Sequence, residues 1–291
     1  MTLSICIFAH NEQWLLHRCI GALDAAAAGE DYRAHILVNG STDETYSVAK
    51  ALAAADRRIT AHFLPVADKA NAWNDYVYRI APEASAHIFI DGDIRPSAGA
   101  FPALSQALQS APRAYGASAL PAAGRSRRAW AARLITNHYL SGNLYALSGS
   151  ALSAIRARDI RLPFGAKGED GLISYLLLTD LIGGSNDSHR DRVVVAEEAT
   201  FEYDSLTLNW RDIKTYHHRL LRYSERHLQK IILYRLLKQN GVAAMPDNIY
   251  EIYSSDNVRQ LRPRLDPVNF WYDRVMLKRV KRQNLGALRR V

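Results

Sequence analysis

Between residues 3 and 91, short apolar runs alternate with longer helix-patterned segments, and this alternation leaves few architectures open. "LSICIFAH", "RAHILVNG", "ITAHFLP" and "AHIFID" read as strands. "NEQWLLHRCIGALDAAAAG", "STDETYSVAKALAAA" and "ADKANAWNDYVYRIAP" read as the helices between them. Strands alternating with helices of about 10–15 residues predict an α/β sheet with helices packed on it. Ligands of such sheets gather beyond the carboxyl ends of the strands. His10-Asn11-Glu12, Asn39-Gly40-Ser41 and Asp91-Gly92-Asp93 all fall at such ends. Asn11 and Ser41 can also be read as helix N-caps, and Ser41 with Glu44 matches a capping box.

"IFIDGDIRP", residues 88–96, runs an apolar strand straight into two aspartates. Buried carboxylates are costly unless paired. One reading is a turn carrying an Asp93–Arg95 pair. The other is a divalent cation, because hard cations take carboxylate oxygens and share them with substrate phosphates. Gly92 between the aspartates lets backbone and phosphate approach closely.

The 291 residues suffice for one large domain, or one domain with an extension. Cys6 and Cys19 have neither metal-knuckle nor disulfide-scaffold spacing and read as buried, reduced thiols. No run reaches the roughly 18–20 apolar residues of a membrane span. The first apolar run also lacks the basic start of a secretory signal, so a cytoplasmic location is expected. Charge is uneven: residues 1–204 hold 19 Lys+Arg against 22 Asp+Glu, and residues 205–291 hold 18 against 7. A near-neutral body with a basic extension suggests that the C-terminal part meets something anionic.

Taken in order, these motifs resemble the family 2 glycosyltransferases. "IFAHNE" is similar to that family's opening strand, "VNGSTDET" to its second strand end and "DKANAWN" to its Gly-Lys-x-x-Ala-Leu-Asn segment. "DGD" matches the Asp-x-Asp motif, "SGNLYALSGSAL" a later segment and "GEDGLISYLLLTD" the Glu-Asp helix. "RLLRY", Arg219 to Tyr223, loosely resembles Gln-x-x-Arg-Trp. The likeness covers roughly residues 3–225. Val38-Asn39 departs from the usual acidic pair, and Asn39 still offers a base edge both a donor and an acceptor.

The resemblance implies a GT-A fold: a central, mostly parallel sheet with helices on both faces, extended here by a basic helical C-terminus. The catalytic domain would span 1–213, with a nucleotide-sugar half to about 97 and an acceptor half over 98–213. The extension would span 214–291. The implied activity is metal-dependent, inverting transfer of a sugar from a nucleotide-diphosphate sugar to an acceptor hydroxyl, in cell-surface glycan or glycolipid synthesis. Asp93, with Asp91, would hold Mn²⁺ or Mg²⁺. Donor contacts would come from Ala9, Asn11, Glu12, Asn39, Ser41, Lys69, Asn74, Asp91, Gly92, Arg219 and Arg222. Asp170, after a loop made flexible by glycine, would be the general base, with Glu169 orienting the site. Gly142, Asn143 and Arg128 would meet a saccharide, lipid or lipid-linked acceptor.

In the tail, "YHHRLLRYSERHLQKIILYRLLKQNG" reads as a long amphipathic helix with Leu220, Leu221, Leu228, Ile231 and Ile232 near one face. "VNFWYDRVMLKRVKRQNLGALRR" interleaves aromatic and apolar side chains with cations, which suits an anionic membrane surface at the inner face of the cell membrane. Val268, Trp271, Tyr272 and Val275 would share one helical face. Two alternatives stay open. A sugar-nucleotide nucleotidyltransferase shares the architecture, but "FAHNEQW" carries no Gly-rich phosphate loop. A non-catalytic nucleic-acid or anion binder would suit the basic tail, but no nucleic-acid motif is found and no nucleic-acid partner is expected.

Overall fold

The structure is a computed structural model that describes residues 3–184, 189–204 and 210–288. It divides into two compact units: 3–160, 169–182 and 189–204 form the first, and 161–168, 183–184 and 210–288 the second. The first unit begins with β1 (Leu3–Ala9), α1 (Leu16–Gly21), α2 (Leu23–Ala27), β2 (Tyr32–Asn39), α3 (Thr45–Ala55), β3 (Ile59–Leu64) and α4 (Lys69–Asp75). It continues with β4 (Ala86–Asp91), β5 (Ile94–Pro96), α5 (Ala100–Ser110), β6 (Gly116–Pro121), α6 (Arg127–Asn137), β7 (Leu144–Ser148), α7 (Gly149–Ala157), α8 (Glu169–Leu178) and β8 (Val193–Tyr203). The second unit holds α9 (Trp210–Asn240), α10 (Ser255–Gln260) and α11 (Pro267–Leu288). Among the described residues, no helix is long and apolar enough to cross a membrane.

All eight strands form one sheet in the order β3-β2-β1-β4-β7-β6-β8-β5. β1 to β4 run parallel, as do β6 and β8; β7 is antiparallel to β4 and β6, and β5 to β8. Every residue of β1 is buried, which requires cover on both faces of the sheet. "LSICIFA" is therefore a continuous apolar run rather than an alternating one. On one face Leu3, Ile5, Ile7 and Ala9 join Ile36, Val38, Ile88, Phe101 and Leu144 in the core. Cys6 and Cys19 are buried free thiols, as their spacing predicts.

The strand order reverses between β1 and β4. That is the switch point where an open α/β sheet leaves a crevice beyond its strand ends. Register puts Phe8 beside Asp91 there. After Asp93 the chain turns into β5, and Arg95 pairs with Glu202 (3.2 Å) and Asp204 (3.3 Å), so it is committed to the sheet edge and not to Asp93.

Three predicted helices differ in detail. Residues 11–29 form two short helices, broken next to Gly21, a poor helix former. Ala28 (φ 48°) and Gly29 (φ 89°) then end the run in left-handed conformations. α3 starts at Thr45, so Ser41 and Asn11 cap nothing. Asp43 instead accepts the Thr45 N–H at 3.0 Å. α4 is capped by Asp68, which accepts the Asn71 N–H at 2.7 Å, and widens into a π-helical turn over Tyr76–Ile80. That turn buries Tyr76, whose hydroxyl meets Ser4 Oγ at 2.6 Å and His87 Nδ1 at 3.0 Å.

In the second unit, α9 buries Leu221, Ser224, Leu228 and Ile232, residues spaced three and four apart. Ile231, expected on that face, is exposed, and Leu220 is half-buried. α11 contributes Met276, Leu277 and Val280, together with the fully buried Asp273. Asp273 accepts hydrogen bonds from Ser224 Oγ (2.5 Å) and from the backbone N–H (2.9 Å), Nε (3.0 Å) and a terminal nitrogen (2.8 Å) of Arg264. Residues 161–168 belong to this unit. Buried Gln229 accepts the Lys167 N–H at 2.8 Å, and Gly165 and Gly168 both have φ of +81°. The loop expected to be flexible is clamped; its glycines supply conformation and close approach, not mobility.

Candidate active site

The loops that follow β1 and β2 are stitched to one another. Asn11, in a left-handed conformation (φ 57°), donates its N–H to Ser41 Oγ (3.0 Å), and its side-chain oxygen accepts the Thr42 N–H (2.8 Å). Glu12 N–H donates to Thr45 Oγ1 (2.7 Å), and Gln13 Oε1 accepts the Glu44 N–H (2.9 Å). His10 Nδ1 lies 2.7 Å from the Asn39 carbonyl. Gly40 (φ +59°) admits no side chain, because a Cβ there would lie 2.2 Å from Ala67 N. Asn39 itself is buried, and its amide oxygen has no hydrogen-bond partner.

β4 delivers Asp91 into this frame. Its N–H donates to Asn143 O (3.0 Å), and the Gly92 N–H donates to Phe8 O (2.8 Å). A Cβ on Gly92 would press on that same carbonyl at 3.1 Å. Lys69, from the start of α4, reaches Asp91 Oδ1 at 2.5 Å, Glu169 Oε1 at 2.8 Å and the Gly142 carbonyl at 3.1 Å. Burial alone would favour neutral Lys69, but Asp91 and Glu169 outweigh it and hold the ammonium charged. Burial pushes the Asp91 carboxyl up to about 7; Lys69 opposes the rise and Asp93 adds to it. Glu12 is pushed to about 8, first by burial and then by the charges of Asp93, Asp91 and Asp43.

The donor set suits a hard divalent cation. Asp91 and Asp93 flank a glycine, and burial, with neighbouring carboxylates adding to it, raises both Asp91 and Glu12. Among the described residues, no three His, Cys, Asp or Glu side chains converge on a ready-made cation site. The fit is to an ion that takes one or two protein carboxylates and completes its shell with phosphates and water. Lys69 engages Asp91 Oδ1, so an ion at this site would share Asp91 with an ammonium group.

Asp170 opens α8 beside Gly142. A Cβ on Gly142 would lie 3.0 Å from the Asp170 Cγ and 3.2 Å from its Oδ2, so any side chain there would push the Asp170 carboxylate aside. Ser174 Oγ donates to Asp170 O (2.7 Å) and accepts the Leu140 N–H (2.9 Å), tying α8 to the segment before Gly142.

The fold thus gathers Asn11, Glu12, Asn39, Ser41, Lys69, Asp91, Gly92, Asp93, Gly142, Asn143, Glu169 and Asp170 around the switch point. Ala9 is buried in β1, and half-buried Asn74 lies on α4. Arg128 is exposed on α6. Arg219 and Arg222 lie on α9 in the second unit. Sequence reasoning missed His10, Gln13, Asp43 and Thr45 as the stitching of the two loops. The polar clusters at 10–13 and 41–45 carry that signal once both strand ends are known to be neighbours.

Residues 4–155 match the family model for glycosyl transferase family 2. No match was found among curated proteins. Among solved structures, the mannosyltransferase PcManGT from Pyrobaculum calidifontis, in complex with GDP-Man and Mn²⁺, superposes with a TM-score of 0.62. Identity is 13%, over 97% of this chain and 86% of that one. S. aureus TarS 1–349 gives a TM-score of 0.55 at 12% identity, over 87% and 69% of the two chains. Glucosyl-3-phosphoglycerate synthase from Mycobacterium tuberculosis, in complex with Mn²⁺, UDP and phosphoglyceric acid, gives 0.53 at 19% identity, over 77% and 78%. At these identities the likeness is one of fold, and the fold is GT-A.

Proposed function

The chain belongs to glycosyl transferase family 2, and from that premise we propose that it transfers a sugar from a nucleotide-diphosphate sugar to an acceptor hydroxyl with inversion. The first unit carries the chemistry. The observation that carries the reading is the Lys69–Asp91–Glu169 cluster, which joins the Asp-x-Asp and Glu-Asp motifs across the switch point. Mannosyl and glucosyl enzymes of the same fold, in complex with Mn²⁺ and GDP-Man or UDP, support the donor class.

Asp170 accepts the proton of the acceptor hydroxyl. That oxygen forms the new bond at the anomeric carbon as the bond to the diphosphate oxygen breaks. Gly142 keeps the space beside the Asp170 carboxylate open. Glu169 is held by Lys69 and orients the site without taking a proton. Asn39 offers the nucleobase an amide, and Asn11 and Ser41 fix the loops on which the nucleotide lies. Asp93, with Asp91, would hold Mn²⁺ or Mg²⁺, which neutralises charge on the departing diphosphate when bound. The acceptor is a saccharide, lipid or lipid-linked hydroxyl, and exposed Arg128 suits an anionic one.

Calorimetric titration with GDP-mannose and UDP-glucose, with and without Mn²⁺, tests the reading. Wild-type protein is expected to bind one donor in a Mn²⁺-dependent way. Asp93→Ala is expected to abolish that dependence while keeping its melting temperature, since Ile88, Phe89 and Ile90 anchor the strand. Unchanged affinity in the variant removes Asp93 from the cation site.

A further inference from the structure

α11 presents a side that is largely solvent-facing, although the Trp271 ring also meets His217 of α9 at 6.0 Å and Tyr272 at 4.8 Å. Leu265, just before the helix, is 93% exposed, Val268 54% and Trp271 53%. Continuing from Trp271 at steps of three and four, exposed Arg274, Lys278 and Lys281 stay on one face of the helix. The opposite face is buried through Met276, Leu277 and Val280. The helix carries one acidic residue, Asp273, and it is turned inward and neutralised by Arg264. No negative side chain on α11 offsets the exposed cations.

We propose that this face of α11 is a docking surface for an anionic lipid bilayer. An aliphatic and indole cluster followed by a row of ammonium and guanidinium groups is the pattern that lets a helix lie in the interface. The apolar end enters the headgroup–acyl boundary, and the cations meet lipid phosphates. Trp271 has an apolar ring and one N–H, a combination that favours that depth. Charge complementarity selects this occupant over a second copy of the chain. Two copies would bring the same cations face to face, in a segment where 18 Lys+Arg stand against 7 Asp+Glu over residues 205–291. A nucleic acid would engage the cations but leave Leu265 and Val268 in water. The inference is independent of the transfer reaction and stands or falls without it.

The test is co-sedimentation of the full chain with phosphatidylcholine vesicles, with and without phosphatidylglycerol. Two variants are compared with wild type: Leu265→Ser/Val268→Ser/Trp271→Ser and Arg274→Gln/Lys278→Gln/Lys281→Gln. All six positions are exposed, but Trp271 also packs on His217 and Tyr272. Melting curves are therefore recorded for both variants. Leu265→Ser/Val268→Ser, which keeps the indole, replaces the triple variant if that one melts lower. Wild-type protein should pellet with the anionic vesicles, less so in high salt, and not with neutral ones. The charge variant should partition about a hundredfold less, at about fivefold for each cation near an anionic surface. The apolar variant should also lose most of its binding. Equal, negligible pelleting of all three proteins would overturn the proposal. Undiminished binding by the apolar variant would also overturn it, reducing the face to a general polyanion site. So would vesicle-free self-association that the apolar variant abolishes, which would assign the face to a second copy.

Discussion

At the scale of single residues, the proposed site depends on what each carboxylate does. Glu169 and Asp91 are both paired with Lys69, and the proposed chemistry is assigned to Asp170 and Asp93. Asp170→Asn keeps the shape and removes the basicity. Sugar transfer is expected to fall by about 10²–10⁴, the usual worth of a general base, with donor affinity retained. Steady-state rates alongside donor titrations check this. Glu12 carries a second consequence. Its folded-state value of about 8 lies above the unfolded one, so the stability it contributes is full below about pH 4 and is lost as pH rises through 8. Glu12→Gln mimics the protonated form and is expected to raise the metal-free melting temperature at pH 7–9, flattening its alkaline decline. Thermal melts across that range decide it, and an unchanged melting temperature would show that the crowding of Glu12, Asp91 and Asp93 is relieved otherwise. Asp91, Asp93 and Asp170 were legible in the sequence because each sits at a strand end or helix start with a recognisable neighbour. The partnership of Lys69 was not. Residues 69, 91 and 169 are joined by no local periodicity, and only the tertiary fold brings Lys69 within 3 Å of both carboxylates.

At the scale of elements, the four strands up to Asp91 were legible, while β5 to β8 and the helix interiors were not. An apolar run of β-branched residues announces a strand whichever partners it takes. Whether residues 11–29 form one helix or two depends on loop partners at 41–45 that no pattern in 11–29 encodes. The same holds for the π-helical turn at Tyr76, which answers to Ser4 and His87 on neighbouring strands. The glycines of "FGAKGED" are a sharper case, since composition suggests slack and the fold uses them for fit. A Cβ on Gly168 would lie 2.1 Å from Arg226 Nε, at a φ that side chains resist. Gly168→Ala is therefore expected to lose at least about 1 kcal/mol in urea unfolding, more than a compatible Gly→Ala exchange would gain. A neutral or stabilising result would mean that the loop before Glu169 rearranges freely.

At the scale of the whole molecule, the strand–helix alternation was enough for an α/β sheet, and the motif order was enough for GT-A. The pairing of β5 with β8, Ile94 beside Tyr203, has no local signature. The second unit was legible as helices and basic charge, but its internal anchor was not. Asp273 reads as one more surface charge on a polar stripe, yet it is the buried acceptor that pins α11 to α9. Burial alone would raise its carboxyl, but hydrogen bonds from Arg264 and Ser224 hold it at about 2. The stability this contributes, about 2 kcal/mol, is present above about pH 4 and lost as pH falls toward 2. Asp273→Asn should flatten the acid limb of the stability curve. It should also destabilise at neutral pH by about 2 kcal/mol, the stabilisation the ionised carboxylate supplies there. Urea unfolding between pH 2 and 7 checks both limbs.

The register of Phe8 beside Asp91 also bears on how the protein comes into being on the ribosome. β1, β2 and β3 can pair as soon as they emerge. The crevice does not exist until β4 has crossed back to the far side of β1, and Lys69 does not have both its carboxylates until α8 has been made. Contacts between residues so distant in sequence form slowly, and domains fold as units during synthesis. A chain made only as far as β4 therefore already holds Lys69 and Asp91, but not Gly142, Asn143 and α8, the residues that later enclose them.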